Sequence, residues 1–161
     1  MPLFVLLTLC ACSAKIDQAK FEAVYRAGKS MEGATSTGVT WLKYSELMQA
    51  FATEVSIAKD KAQSTIEQEL VSLYGEALIA YQDAQIVWRK KIGHDGNLGI
   101  SESEMKRIVE AYPIQGAGSG SSFSFSPDQA IQTIWVRAGA KLRDANEKYT
   151  GKESNALPVA Q

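Results

Sequence analysis

Cysteine is almost absent, and what there is lies at one end: Cys10 and Cys12, with none after them. The rest of the chain therefore has no internal disulfide, no thiol nucleophile and no zinc–thiolate site. Histidine is down to one residue, His94. A Ser–His–acid set would have a single candidate base, and no motif surrounds any serine. No glycine-rich phosphate loop stands between a strand and a helix. No excess of one charge exists either: Lys and Arg total 17 against 18 Asp and Glu, formal net charge −1, which argues against nucleic acid as a partner. The apolar run from Pro2 to Leu9 falls far short of the roughly 18 residues that a membrane-spanning helix needs. Between Val39 and Tyr74 there is neither glycine nor proline, so a long stretch lacks any helix breaker.

What is present is helical periodicity. The chain has 161 residues, 45% of them hydrophobic, enough for one domain with a real core. Ile66, Leu70, Leu73, Ala77, Tyr81, Ala84 and Trp88 recur at three-four spacing. Val71, Tyr74, Leu78, Ile79, Ile86 and Val87 widen that stripe, so the helix predicted from Ser64 to Ile92 must be covered by others. A first helix is expected over about 14–31, with Ile16, Ala19, Ala23, Val24, Ala27 and Met31 inward and Phe21 and Tyr25 on a flank. Residues 33–39 read as a connector. Thr40 caps a second helix whose stripe is Trp41, Tyr44, Met48, Phe51, Val55, Ala58 and Ala62. Ser64 and Glu67 form a capping box, which predicts a tight turn over 61–64. The alternative is one very long helix over 40–92, about 80 Å at 1.5 Å per residue, with helices packed on each half.

Arg89, Lys90 and Lys91 before Gly93 suit a helix C-terminus. Ser101 and Glu104 cap a short helix to Tyr112, closed by Pro113. The glycine- and serine-rich stretch 116–126 reads as a mobile loop, within which Phe123 and Phe125 either pack down or stand exposed for a partner. Ser126, Pro127 and Asp128 open a last helix with Ile131, Ile134, Trp135, Ala138, Leu142, Ala145 and Tyr149 inward, ended by Gly151. The fold class is all-α: a four-helix, up-down antiparallel bundle with a short extra helix before the last. Residues 1–11 form a leader, 12–151 one bundle domain and 152–161 a disordered tail.

Leu9-Cys10-Ala11-Cys12 is similar to the lipobox of bacterial lipoproteins, a leucine, a variable position, a small residue and the cysteine. The apolar run before it resembles the hydrophobic region of a secretory signal. The resemblance implies diacylglycerol transfer to the Cys12 thiol, cleavage after Ala11 and acylation of the new amino terminus. Ser13, in place of aspartate, implies the outer membrane, facing the periplasm. The family's positively charged n-region is missing, since only Met1 and Pro2 precede the run; either the start lies upstream or the leader is short. Several acyl chains anchor durably where one binds marginally. The expected partners are thus the membrane, through the lipid on Cys12, and an envelope protein.

Candidate sites in the bundle are sparse. Asp95, Asn97, Ile100, Ser101 and Glu104 partly match a calcium loop, but Gly93 replaces the first aspartate and Leu98 the obligatory glycine. His94 with Met48 or Met105 could ligate haem, yet no Cys-x-x-Cys-His occurs, and a solvated loop histidine accounts for it. Glu69, Glu76 and Asp83 lie seven apart, pointing away from the apolar stripe toward solvent or an interhelical bond. Gly75 and Gly139 suggest either close approach of the central and last helices or a gap for a ligand. No catalytic, metal or cofactor residue is therefore assigned, and no enzyme is expected. The reading is an anchored structural or interaction module, with a carrier of a small apolar ligand near Trp88, Trp135 and Gly75 as the alternative.

Overall fold

In the computed structural model, which describes residues 15–94, 96–99, 103–120 and 123–152, the first helix, α1 (Gln18–Thr37), begins where the Asp17 carboxylate accepts the Ala19 N–H. It starts later and runs further than its pattern predicts, through most of the expected connector. That connector rests on weak periodicity and the glycines at 33 and 38, but Gly33 is tolerated inside the helix, and only Gly38 ends it. The threonines and serine between them do not open a loop. Instead their hydroxyls donate back into the helix, Thr35 to the Met31 carbonyl and Ser36 and Thr37 to that of Gly33. The turn shrinks to residues 38–40, and Gly38 takes φ +94, a conformation L side chains rarely adopt. The inner stripe also differs: Phe21, Val24, Gly28 and Met31 are buried, while Ala19 and Ala23 face solvent. A phenylalanine ring removes far more apolar area from water than alanine methyls, so it takes the inward position.

Helix α2 (Trp41–Lys61) is capped by Thr40, whose hydroxyl accepts the Lys43 N–H. It buries Tyr44, Met48, Phe51, Val55 and Ala58, as its stripe predicts. The chain then turns extended at Ala62 (φ −68, ψ 115) and stays extended at Ser64 (φ −99, ψ 158). There the capping box forms in both directions: Ser64 Oγ accepts the Glu67 N–H, and the Glu67 carboxylate accepts the N–H groups of Ser64 and Gln63. One helix through this point is thereby excluded.

Helix α3 (Thr65–Ile92) is the longest, 28 residues, or about 42 Å at 1.5 Å per residue. It buries Leu70, Val71, Tyr74, Ala77, Ala80, Tyr81, Ala84 and Val87, with Trp88 half-buried. A short strand β1 (Leu98–Gly99), helix α4 (Ser103–Ala111), strands β2 (Gly116–Ala117) and β3 (Ser124–Phe125) and helix α5 (Pro127–Thr150) follow. Ser126 caps α5 and Pro127 opens it.

The four long helices form the predicted up-down antiparallel bundle, and α4 is the short extra helix. Helix α1 packs on α2 and α5, α2 on α3, and α3 most extensively on α5. Ion pairs fix the antiparallel sense of that last pair, Glu69 with Lys148 at one end and Lys91 with Asp128 at the other. Small buried residues, Ala77, Ala80 and Ala84 on α3 and Ala130, Ala138 and Ala145 on α5, keep the side-chain layer between them thin.

The stretch expected as a mobile loop contributes two strands, Gly116–Ala117 and Ser124–Phe125. Strand β3 is central, pairing antiparallel with β1 through Leu98–Phe125 and with β2 through Gly116–Phe125. A Cβ on Gly116 would run into the Phe123 ring and the Ser124 carbonyl, so glycine is required for this close pairing.

Gly75 and Gly139 do not mark a close helix approach. A Cβ on Gly75 would meet nothing within 4 Å, and one on Gly139 only the end of Arg143 at 3.7 Å. Within the bundle helices the tight glycine is Gly28, where a Cβ would sit 3.0 Å from Leu142 Cδ2 and 3.4 Å from Tyr74 Cε1.

Candidate functional site

The lipobox residues, Cys12 included, lie outside the described residues, as do Asp95, Ile100 and Ser101 of the calcium-loop match. What is described is the end of the bundle to which residue 12 leads. The Gln18 side-chain amide donates to the Tyr149 carbonyl at 3.1 Å, and the Tyr149 hydroxyl donates to the Gln18 carbonyl at 3.1 Å. The Tyr149 ring stacks on Tyr25, centroids 4.4 Å apart. Lys20 bridges to Glu67 with both carboxylate oxygens, at 2.8 and 2.9 Å. The start of α1, the turn between α2 and α3 and the end of α5 are therefore one surface. The Lys20 ammonium and the two backbone N–H groups of the capping box pull the Glu67 carboxyl down to about 2.

At the opposite end, aromatic rings interlock. Trp88 packs against Trp41, Tyr44 and Trp135 with centroids 5.4–5.7 Å apart, and Tyr44 packs against Trp135 at 5.6 Å. The Tyr44 hydroxyl accepts from Trp135 Nε1 at 3.2 Å and donates to the Tyr81 carbonyl at 2.7 Å. Burial pushes its ionisation well above the usual phenol range. Each ring thus fills the space beside the next, and the polar atoms that join them are satisfied. Next along α3, the Tyr81 hydroxyl is buried without a hydrogen-bond partner, and burial pushes it up to about 12.

The three carboxylates spaced along α3 take two roles. Glu69 and Glu76 pair with Lys148 and Lys141 of α5, each at 2.6 Å. Asp83 takes the interhelical one of the two expected roles and is 3% exposed. Its oxygens accept from both terminal nitrogens of Arg107 and from the Tyr112 hydroxyl at 2.9 Å. This carboxylate holds α4 onto α3. Sequence reasoning allowed an interhelical bond here but not its partners, which lie 24 and 29 positions away with no spacing rule to connect them.

Phe125 is 1% exposed and Phe123 half-buried, their rings 6.3 Å apart, so both pack down rather than stand out for a partner. His94 is exposed just past α3, whereas Met48 and Met105 are buried in the core. Among the described residues, no group of three or more His, Cys, Asp or Glu is placed to hold a metal ion. An open polar groove between α1 and α5 is lined by Lys29, Glu32, Arg143, Asn146, Glu147 and Thr150. Among the described residues no helix is long and apolar enough to cross a membrane. No protein-family model, curated protein or solved structure matches the chain.

Proposed function

We propose that the chain is a bacterial cell-envelope lipoprotein, held by lipid on Cys12, whose helical bundle acts as a structural or protein-interaction module. The observation that carries this reading is the Leu9-Cys10-Ala11-Cys12 run five positions ahead of the Asp17 cap. Five residues span at most about 18 Å. A lipid on Cys12 would keep the bundle against the membrane in place of a transmembrane helix, and acylation by more than one chain makes such attachment durable. Ser13 supports the outer membrane, with the bundle in the periplasm.

An interaction role is favoured over a carrier role by the aromatic end of the bundle. Trp88, Tyr44 and Trp135 occupy the volume that an apolar ligand would need. Large apolar side chains remain exposed outside, notably Leu42, Ile79, Ile92 and Val136.

Two measurements test the reading. Cys12→Ala should abolish fatty-acid labelling and release the protein from membranes; unchanged labelling and partitioning would overturn the anchor. Crosslinking the lipidated protein in its own envelope should recover a reproducible protein partner, and recovering none overturns the interaction role.

A further inference from the structure

The lysines of this chain divide by pairing. Most face carboxylates, along the body and at both ends of the bundle: Lys29 pairs with Glu32, Lys43 with Glu46, Lys91 with Asp128, Lys106 with Glu110, Lys141 with Glu76 and Lys148 with Glu69. Lys20 pairs with Glu67, and Lys90 makes an interaction as well. Among the described residues, the lysines without an ion pair are Lys15, Lys59, Lys61 and Lys152. All of them are exposed.

These lysines also share one end of the bundle. Lys15 precedes the Asp17 cap of α1, and Lys59 and Lys61 lie in the last turn of α2. Lys152 follows the Gly151 cap of α5. The Gln18–Tyr149 exchange and the Lys20–Glu67 bridge bring those helix ends together. Exposed carboxylates at this end are Asp17, already capping α1, Asp60, Glu22, which pairs with Arg26, and Glu69, which pairs with Lys148; Glu147 turns into the groove between α1 and α5. Arg89, Arg137 and Arg143 also lack a carboxylate partner, but they are spread along α3 and α5 and form no cluster. The end that gathers the unpaired lysines is the one to which the Cys12 tether leads.

We propose that this end, with Lys15, Lys59, Lys61 and Lys152, is a contact face for anionic phospholipid headgroups, so that the bundle stands end-on against the bilayer. The proposal rests on the anchor reading, because the tether of at most about 18 Å is what holds the lysines near the surface. The negative potential of an anionic membrane decays within a Debye length, about 8–10 Å at physiological salt. So short a tether lets the lysine end reach into that layer, whereas lysines at the opposite end of the bundle, such as Lys43 and Lys91, stay about 30 Å away, the length of α1. A lysine near such a surface strengthens binding roughly fivefold. Unpaired lysines have no carboxylate to give up on meeting a headgroup, unlike those along the body.

The test uses the full chain made in a bacterial host, with acylation read by mass. The purified protein is reconstituted into phosphatidylcholine bilayers with and without phosphatidylglycerol. A fluorophore is placed at Gln63→Cys on the lysine end or at Ser36→Cys on the far end, and a headgroup-attached quencher reports proximity. Quenching at position 63, stronger with phosphatidylglycerol and reduced at least severalfold by Lys59→Gln with Lys61→Gln, is the expected result. Position 36 should stay unquenched. Absence of acylation overturns the anchor reading, and this proposal with it. Acylation with equal quenching at both positions, or with quenching at 63 indifferent to phosphatidylglycerol and to the lysine substitutions, overturns the end-on contact alone. Circular dichroism of the double variant excludes loss of fold.

Discussion

Gln18 and Tyr149 exchange hydrogen bonds across 131 positions of sequence, the amide of one to the backbone carbonyl of the other and the hydroxyl back again. The first turn of a helix frays most easily, since its N–H groups are the last to find partners, and this tie holds Gln18 of α1 against the end of α5. Tyr149→Phe keeps the ring stacked on Tyr25 and removes only the hydroxyl. A loss of about 1 kcal/mol is expected, together with faster amide exchange confined to the first turn of α1. Uniform loss of protection along α1 would count against a local tie.

Glu67 makes stability depend on acid. Its folded pKa, about 2, lies below the 4.5 of the free side chain. The stabilisation it contributes is complete above pH 4.5 and is lost as pH falls through the folded value. Denaturation midpoints should therefore decline between about pH 4.5 and 2. Glu67→Gln should flatten that decline and cost about 1–3 kcal/mol near neutrality, since a charge-assisted cap and the Lys20 bridge go together. An unchanged acid slope in the variant would show that other carboxylates dominate.

Asp83 is the tie between α3 and α4. Asp83→Ala leaves the Tyr112 hydroxyl without its acceptor, while half-exposed Arg107 can turn to water. The expected cost is about 2 kcal/mol. Hydrogen exchange should rise selectively in α4 and be nearly unchanged in α2. Equal loss in both would mean that the carboxylate supports the whole bundle.

The glycines predict opposite signs of effect. Gly75→Ala places a methyl in open space on a helix and should stabilise by about 0.5–1 kcal/mol. Gly28→Val drives carbon into Leu142 and Tyr74 and should cost about 1–3 kcal/mol. Thermal melts of the two single variants check the contrast; a stabilised Gly28→Val would mean that Leu142 yields freely.

Features legible in the sequence were those whose cause is local. The Ser64–Glu67 box needs only residues three apart, and the α2 stripe from Tyr44 to Ala58 only a helical period. The end of α1 was misread because two glycines and weak periodicity suggest a connector, and nothing local says that Gly33 stays helical or that Thr35 will bond back to Met31. The sheet was missed because strands of two residues carry no alternation; Phe125 is held there by Leu98 and Gly116, both distant in sequence. The partners of Asp83 were hidden for the same reason, its surroundings being supplied by α4 and Tyr112. The lysine end escaped notice because it is an arrangement of helix termini, with no two of its helices adjacent at that end except through the 62–64 turn.

The crossed bonds of Gln18 and Tyr149 also set a topological freedom. They hold the first and last helical turns side by side, so a brief linker could join position 152 to position 15 without displacing a helix. The bundle could then be opened elsewhere, at exposed residues 118–120 beyond β2. Such a circular permutant would keep every helix pairing while moving both new termini away from the lysine face.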